Sequence, residues 1–334
     1  MRNHTSIRRL LSFFIKAAIS ALLLYLSLRR VDLGSIGQRL GGLDLRWVTL
    51  ILFIPCAQMV LLALRWREIV LMCGAKLPRA TALSYSFIGQ FFSQVLPSTV
   101  GGDAIRIWLL ARGGAGWPTA SYSVLIDRVV GVSILAVLVV ACLPWTLNMI
   151  HDPIARAALT LIGFGTLAGT LAFLALGVRH LWAMDRWWIT RHLAAASRVA
   201  WRLCRSGTGA RVAAYSFAIH FMTVMVAWGA AMAAHAAVDL VHALFLILPV
   251  MLIATIPVSI AGWGVRESAM VLAFSYAGLA ESDGLIVSIL FGTVNLAVGV
   301  IGGIIWVSSG YRRRSAKDID TDTLACHRSN FECS

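Results

Sequence analysis

The sequence predicts an all-α polytopic membrane protein of about seven or eight transmembrane helices, with two broken or re-entrant helical segments arranged as an inverted repeat. Three observations predict it. Only 13% of the 334 residues are charged and 59% are hydrophobic, whereas a soluble domain carries roughly a quarter charged residues. Apolar runs of about eighteen residues or more recur along the chain, long enough to cross the hydrocarbon as helices. Two helix-breaking, charged stretches, "VLPSTVGGDAIRIW" at Val95–Trp108 and "IPVSIAGWGVRE" at Ile256–Glu267, interrupt those runs.

The apolar spans fall at Leu10–Leu28, Trp47–Leu64, Val124–Leu147, Ala157–Val178, Val212–Ala234, His242–Ile260 and Leu285–Val307. The first follows Arg2, Arg8 and Arg9 like a secretory signal. It runs on to Arg29 and Arg30 without a small-residue cleavage site, so a retained helix is expected, with Lys16 snorkelling to the surface. The mean hydropathy is +0.81. The transmembrane domain is expected to occupy residues 1–311, with broken-helix elements at 81–112 and 242–280, a basic loop at 179–211, and a polar, disordered tail at 312–334.

The net charge of +14 comes from 29 Lys and Arg against 15 Asp and Glu. In this chain it reads as topology and anionic headgroups, with no nucleic-acid partner. Arg65, Arg67, Lys76 and Arg79 follow the second span; Arg179, Arg186, Arg191, Arg198, Arg202, Arg205 and Arg211 fill the central loop; Arg312, Arg313, Arg314 and Lys317 follow the last span. These segments are expected to be cytoplasmic, as are both termini, in a bacterial inner membrane. Asn148–Arg156, His235–Val241 and Glu281–Gly284 are expected outside; the four arginines of Arg29–Arg46 fit that side poorly. Arg191, Arg198, Arg202 and Arg205 share a helical face opposite Ile189, Leu193, Ala196 and Ala200. That pattern predicts a basic amphipathic helix on the inner leaflet, or alternatively a solvated charge run that only sets topology. None of the six cysteines forms a CxxC pair, and no disulfide framework, metal site or cofactor is implied.

Irregular backbone at membrane depth survives only inside protein or beside a wet cavity, because each unpaired polar group costs several kcal/mol in lipid. Pro97 is expected to end one helix, Gly101 and Gly102 to allow a sharp turn, and Asp103 to cap the helix restarting at Ala104. The second stretch repeats the design. Nine positions separate Pro97 from Arg106, and nine separate Pro257 from Arg266, with Gly262 and Gly264 between. Three full spans lie between the motifs, so one enters from each side, the mark of an inverted repeat around a site. The candidate site residues are Pro97, Gly101, Gly102, Asp103, Arg106, Asp127, Arg128, Pro257, Gly262, Gly264, Arg266 and Glu267. Two readings stand for the charged ones. Asp103 with Arg106, or Asp127 with Arg128, could pair internally and lock helices. Arg106 and Arg266 could instead fork to a phosphate near half-helix N-termini.

The chain resembles the flippase-like membrane family related to the transmembrane region of lysylphosphatidylglycerol synthase. The resemblance rests on "LRWREIV" at Leu64–Val70, "GQFFSQVLPSTVGGDAIRIW" at Gly89–Trp108, "LIDRVVG" at Leu125–Gly131 and "IPVSIAGWGVRE" at Ile256–Glu267. It implies a polytopic inner-membrane protein that handles lipids: phospholipids, aminoacyl-phospholipids, hopanoids or lipid-linked sugars. Full synthases append a soluble aminoacyltransferase domain, whereas this chain ends about 25 residues after its last span, so aminoacylation is not expected. The leading reading is a flippase-like module binding or translocating an amphiphilic lipid. The alternatives are a membrane glycosyltransferase or lipid-modifying enzyme, and an accessory subunit partnering lipid-synthesis enzymes. HExxH, GxSxG and P-loop patterns are missing from the sequence, and the scattered histidines His220, His235 and His242 read as packing or interfacial residues.

Overall fold

The computed structural model describes residues 41–96, 100–178, 188–256 and 264–309. The first expected span with Lys16, Pro97, Pro257, Gly262, residues 179–187 of the basic loop, the 312–334 tail, Cys326 and Cys333 lie outside the described residues. Among the described residues there are ten α-helices and no strand: α1 Leu45–Met72, α2 Arg79–Val95, α3 Gly101–Leu110, α4 Trp117–Met149, α5 Pro153–Val178, α6 Trp188–Cys204, α7 Gly207–Ala233, α8 Leu240–Ala254, α9 Val265–Tyr276 and α10 Glu281–Ser308. Five of them, α1, α4, α5, α7 and α10, are long and apolar enough to cross a membrane.

Local chemistry sets the ends. Asp44 accepts the Arg46 N–H, Ser206 accepts the Gly209 N–H, and Asp239 accepts the His242 N–H, so α1, α7 and α8 each begin on a polar cap. Glu281 and Asp283 in the first turn of α10 favour its positive end. α1 closes on Cys73, and Gly74, at φ 88°, supplies the left-handed residue that follows.

The short helices come in two pairs. α2 stops at Val95, and Leu96 turns extended at φ −80°, ψ 140°, the conformation a following proline imposes. α3 then returns along α2. A Cβ on Gly102 would sit 2.2 Å from the Gly89 carbonyl oxygen and 2.0 Å from Ser93 Oγ, so only glycine lets the two arms touch. A π-helical turn at Ala111–Ala115 and positive φ at Gly114 and Gly116 swing the chain into α4. α8 and α9 form the second pair. The 15 residues of α8 span about 22 Å, short of the roughly 30 Å hydrocarbon core. The expected full span at His242–Ile260 is therefore one arm of a hairpin.

The two halves correspond. α1, α2, α3, α4 and α7, α8, α9, α10 run long, short, short, long, and align under a shift of about 160 positions, the separation of Arg106 and Arg266. Helices α1 and α7 lie antiparallel along the seam. The Asp44 N–H donates to the Ala233 carbonyl at 3.0 Å, Trp47 meets Trp228 edge-on at 5.1 Å, Gln58 donates to Thr223 at 2.9 Å, and Arg211 pairs with Glu68 at 2.9 Å. Each hairpin then packs on the long helix of the other half. α2 lies on α10, where a Cβ on Gly302 would be 1.9 Å from the Phe87 carbonyl oxygen. α8 lies on α4, where Thr146 donates to the Phe245 carbonyl at 3.3 Å.

Helices α5 and α6 interrupt the repeat. α5 turns Ile154, Leu161, Phe164 and Leu171 outward, as a lipid-facing helix does. α6 departs from expectation. Its small-residue face, including Ala196, Ser197, Ala200 and Leu203, is buried against protein rather than laid on a leaflet. Gly177 of α5 approaches so closely that a Cβ there would be 2.7 Å from Ser197, whose hydroxyl bonds the Phe173 carbonyl. Alanines give too little apolar reach to anchor in lipid, but they let two helices close up. The basic face, with Arg191, Arg198, Arg202 and Arg205, stays exposed as expected.

Candidate functional site

The loop reading of Arg65 is also corrected. α1 runs seven residues past it, and Arg65 is buried. Its Nε donates to Asp127 Oδ1 at 2.8 Å and its Nη1 to Ser216 at 3.2 Å. A Cβ on Gly131 would lie 3.2 Å from that Nη1, so the glycine leaves the guanidinium its room.

Asp127 is 1% exposed and takes a second arginine. Arg106 Nη2 donates to Asp127 Oδ2 at 3.0 Å, while its Nη1 lies 3.4 Å from Asp103 Oδ1. The Arg106 guanidinium rests 4.2 Å over the Trp66 ring, which Ser123 holds through the indole N–H at 3.3 Å. Asp103 and Arg106 are three residues apart on one face of α3. Asp103 does not cap the helix at Ala104; α3 already begins at Gly101, and the carboxylate turns sideways to Arg128 Nε at 2.5 Å. Arg128 does not pair with its neighbour Asp127. Successive residues on a helix point about 100° apart, so Asp127 faces Arg65 and Arg106 while Arg128 reaches over to Asp103.

The result is a chain of five charges: Arg65, Asp127, Arg106, Asp103, Arg128. Three guanidiniums share two carboxylates, leaving one formal positive charge in excess. The excess has an outlet, because the Arg128 side chain is 56% exposed while the Asp103 and Arg106 side chains are below a tenth. Arg106 Nε is buried with no hydrogen-bond partner. Removing one of the buried members strands its partners, at a cost of about 3–5 kcal/mol, whereas the half-exposed Arg128 leaves a charge count of two against two.

The second hairpin carries its own cluster. Arg266 Nη2 donates to Glu267 Oε1 at 2.7 Å, and Arg266 Nε donates to Ser288 at 3.1 Å. Ser288 in turn donates to Glu267 Oε1 at 3.1 Å. Glu267 is fully buried, and its Oε2 accepts the Gly264 N–H at 2.6 Å, closing the start of α9. Gly264 sits at φ 88°, which a side chain would resist. Ser288 stands on α10 about where Asp127 stands on α4, some 160 positions earlier. The second half therefore moves its carboxylate from the long helix to the residue beside the arginine, and its visible charges balance.

Of the sequence-predicted residues, Asp103, Arg106, Asp127 and Arg128 come together, as do Gly264, Arg266 and Glu267, and Gly101 and Gly102 build the first hairpin. Arg65, Trp66, Ser216 and Ser288 were missed. The available signal for Arg65 was the resumption of apolar residues at Ile69–Met72, which marks the charge as interrupting a helix rather than following one. Among the described residues no group of three or more His, Cys, Asp or Glu is placed to hold a metal. His220 packs within the bundle, its Nε2 2.9 Å from the Gly131 carbonyl oxygen.

Five membrane-length helices, two hairpins too short to cross, and ion clusters held inside the bundle define a polytopic membrane protein built as an inverted repeat. The chain belongs to the lysylphosphatidylglycerol synthase TM region family, whose pattern matches residues 13–303. No curated protein and no solved structure matches it. The family makes it a membrane protein linked to lipid handling.

Proposed function

We propose that the protein binds an amphiphilic lipid and passes its headgroup between the two halves, the acyl chains remaining in the bilayer. The cargo class is a phospholipid, aminoacyl-phospholipid, hopanoid lipid or lipid-linked sugar. The observation that carries this reading is the uncompensated cation of the first cluster, whose exposed end is Arg128. A lipid phosphate arriving there can replace one Asp103 contact, so binding exchanges one charged hydrogen bond for another instead of desolvating a bare ion. Arg106 stands behind as the second cation. The start of α3 at Gly101 and Gly102 adds backbone N–H groups to the same polar path. Arg266 and Glu267 form the mirrored station in the other half. The chain would sit in a bacterial inner membrane with both termini and the α6 segment cytoplasmic.

The test is transport in proteoliposomes carrying a fluorescent phosphatidylglycerol, read by dithionite quenching, with no enzyme added. Wild-type protein should accelerate loss of the protected inner-leaflet signal. Arg128→Gln should abolish that acceleration per folded molecule with little change in melting temperature. Protein-free rates from well-folded wild type that also retains no lipid on purification would remove the proposal.

A further inference from the structure

A second polar site lies about 12 Å along α4 from Asp127, where the long helices end. It is a cavity of about 620 Å³ lined by Thr119, Tyr122, Gly177, Arg198, Trp201 and Arg202. Cys73, just past the end of α1, also borders it, so the ends of α1, α4 and α5 and the side of α6 meet at one level of the bundle. We infer that this cavity holds the phosphodiester headgroup of an anionic phospholipid bound as a resident of the fold, separate from any lipid being carried.

Arg198 and Arg202 are one helical turn apart on α6 and both line the cavity. Like charges at that spacing oppose each other. Among the described residues neither arginine has an ion pair. The helix cannot rotate them elsewhere, because Ser197 and Ala200 on its other side are locked against protein. Two unneutralised guanidiniums facing one space favour an anion, and their forked donors suit phosphate. Thr119 adds a hydroxyl, and Tyr122 is held by a hydrogen bond to His192 Nδ1.

Two features select a lipid over a free anion. Trp201 and Tyr122 place amphipathic rings at the level of the helix ends, where headgroups lie. The same α4 and α5 stripes continue deeper into an apolar cavity of about 370 Å³, lined by Val129, Ser133, Thr170, Leu174 and Leu203, with room for part of an acyl chain.

Delipidated protein in detergent is titrated with dioleoyl phosphatidylglycerol, and bound lipid is counted by native mass spectrometry. The pair Arg198→Gln, Arg202→Gln should weaken the tightest binding by about tenfold or more, the loss expected for charged hydrogen bonds. The control pair Arg191→Gln, Arg205→Gln removes the same charge from positions of α6 that do not line the cavity and should leave it unchanged. Should the first pair fold poorly, Arg198→Lys, Arg202→Lys keeps the charge and should still show weaker binding than wild type. Equal weakening by both glutamine pairs would mean diffuse attraction and overturn the assignment. So would equally tight binding of dioleoyl phosphatidylcholine. Displacement of the lipid by millimolar inorganic phosphate would assign the cavity to a soluble anion instead. Failure of transport in proteoliposomes would leave this result untouched, since the titration measures binding alone.

Discussion

Asp127→Asn is the sharpest perturbation of the first cluster. Asp127 holds Arg65 at 2.8 Å and Arg106 at 3.0 Å with one oxygen each. Asparagine keeps the shape, but one of its two ends becomes an N–H donor aimed at a guanidinium. The charge count moves from three cations against two anions to three against one. Stranding buried charges in this way costs about 3–5 kcal/mol, which for a chain this long lowers the melting temperature by about 5–10 °C. Arg65→Gln on its own brings the cluster to two against two and should cost less. The double variant returns to a single excess cation and should be more stable than the two separate losses imply, by about 1–3 kcal/mol. The assay is a thermal melt followed by fluorescence-detected size exclusion in one detergent with fixed lipid. An Asp127→Asn melt within about 2 °C of wild type, or strict additivity in the double variant, would refute the account of the cluster as a coupled unit.

Gly302→Ala should destabilise severely, because its Cβ would overlap the Phe87 carbonyl, whereas Gly165→Ala, with open space around it, should be neutral or gain about 0.5–1 kcal/mol in helix propensity; parallel melts of both variants decide it. Cys73 should react slowly with maleimide. Burial pushes its thiol up to about 11, Arg202 only partly opposing, so the thiol stays protonated at pH 7.5 and labelling should rise steeply as the pH climbs toward that value. A single-cysteine variant labelling as fast as glutathione at pH 7.5 would contradict this. Glu267→Gln should lower stability by about 1.5–3 kcal/mol, because Arg266 loses its adjacent counter-charge while the Gly264 cap survives; an unchanged melt would count against it.

The fold was legible where the physics is local. Apolar length announces α1, α4, α5, α7 and α10, and the prolines and glycines announce the two hairpins, because only special backbone can reverse there. The equal spacing of Pro97 to Arg106 and of Pro257 to Arg266, with three spans between the motifs, points to the repeat that the helix packing displays. What stayed hidden was azimuth. In sequence Arg65 resembles a topogenic arginine because the apolar run ends at Leu64, and only the helix's rotation turns it inward to Asp127. The same blindness misassigned the partners within the cluster, since adjacency in sequence puts Asp127 and Arg128 on different faces. On α6 the exposed basic face and the buried Ala196 and Ala200 are legible in the sequence, but amphipathicity alone does not say whether lipid or a neighbouring helix covers the apolar side.

The crossed packing of the halves has a consequence for biogenesis. α2 rests on α10 and α8 rests on α4, so each polar hairpin finds its supporting wall in the other half of the chain. During synthesis the first hairpin emerges roughly two hundred residues before α10 does. Until then Gly102 and its charged neighbours have, among the described helices of their own half, α1 and α4 to shelter them, and at first the seam partner α7 is unmade as well. The first half is thus an unfinished object in the bilayer. Its ion cluster, four of whose five members sit on α3 and α4, acts as the clasp that keeps the waiting hairpin from drifting into lipid. Its wall is complete only when α10 arrives.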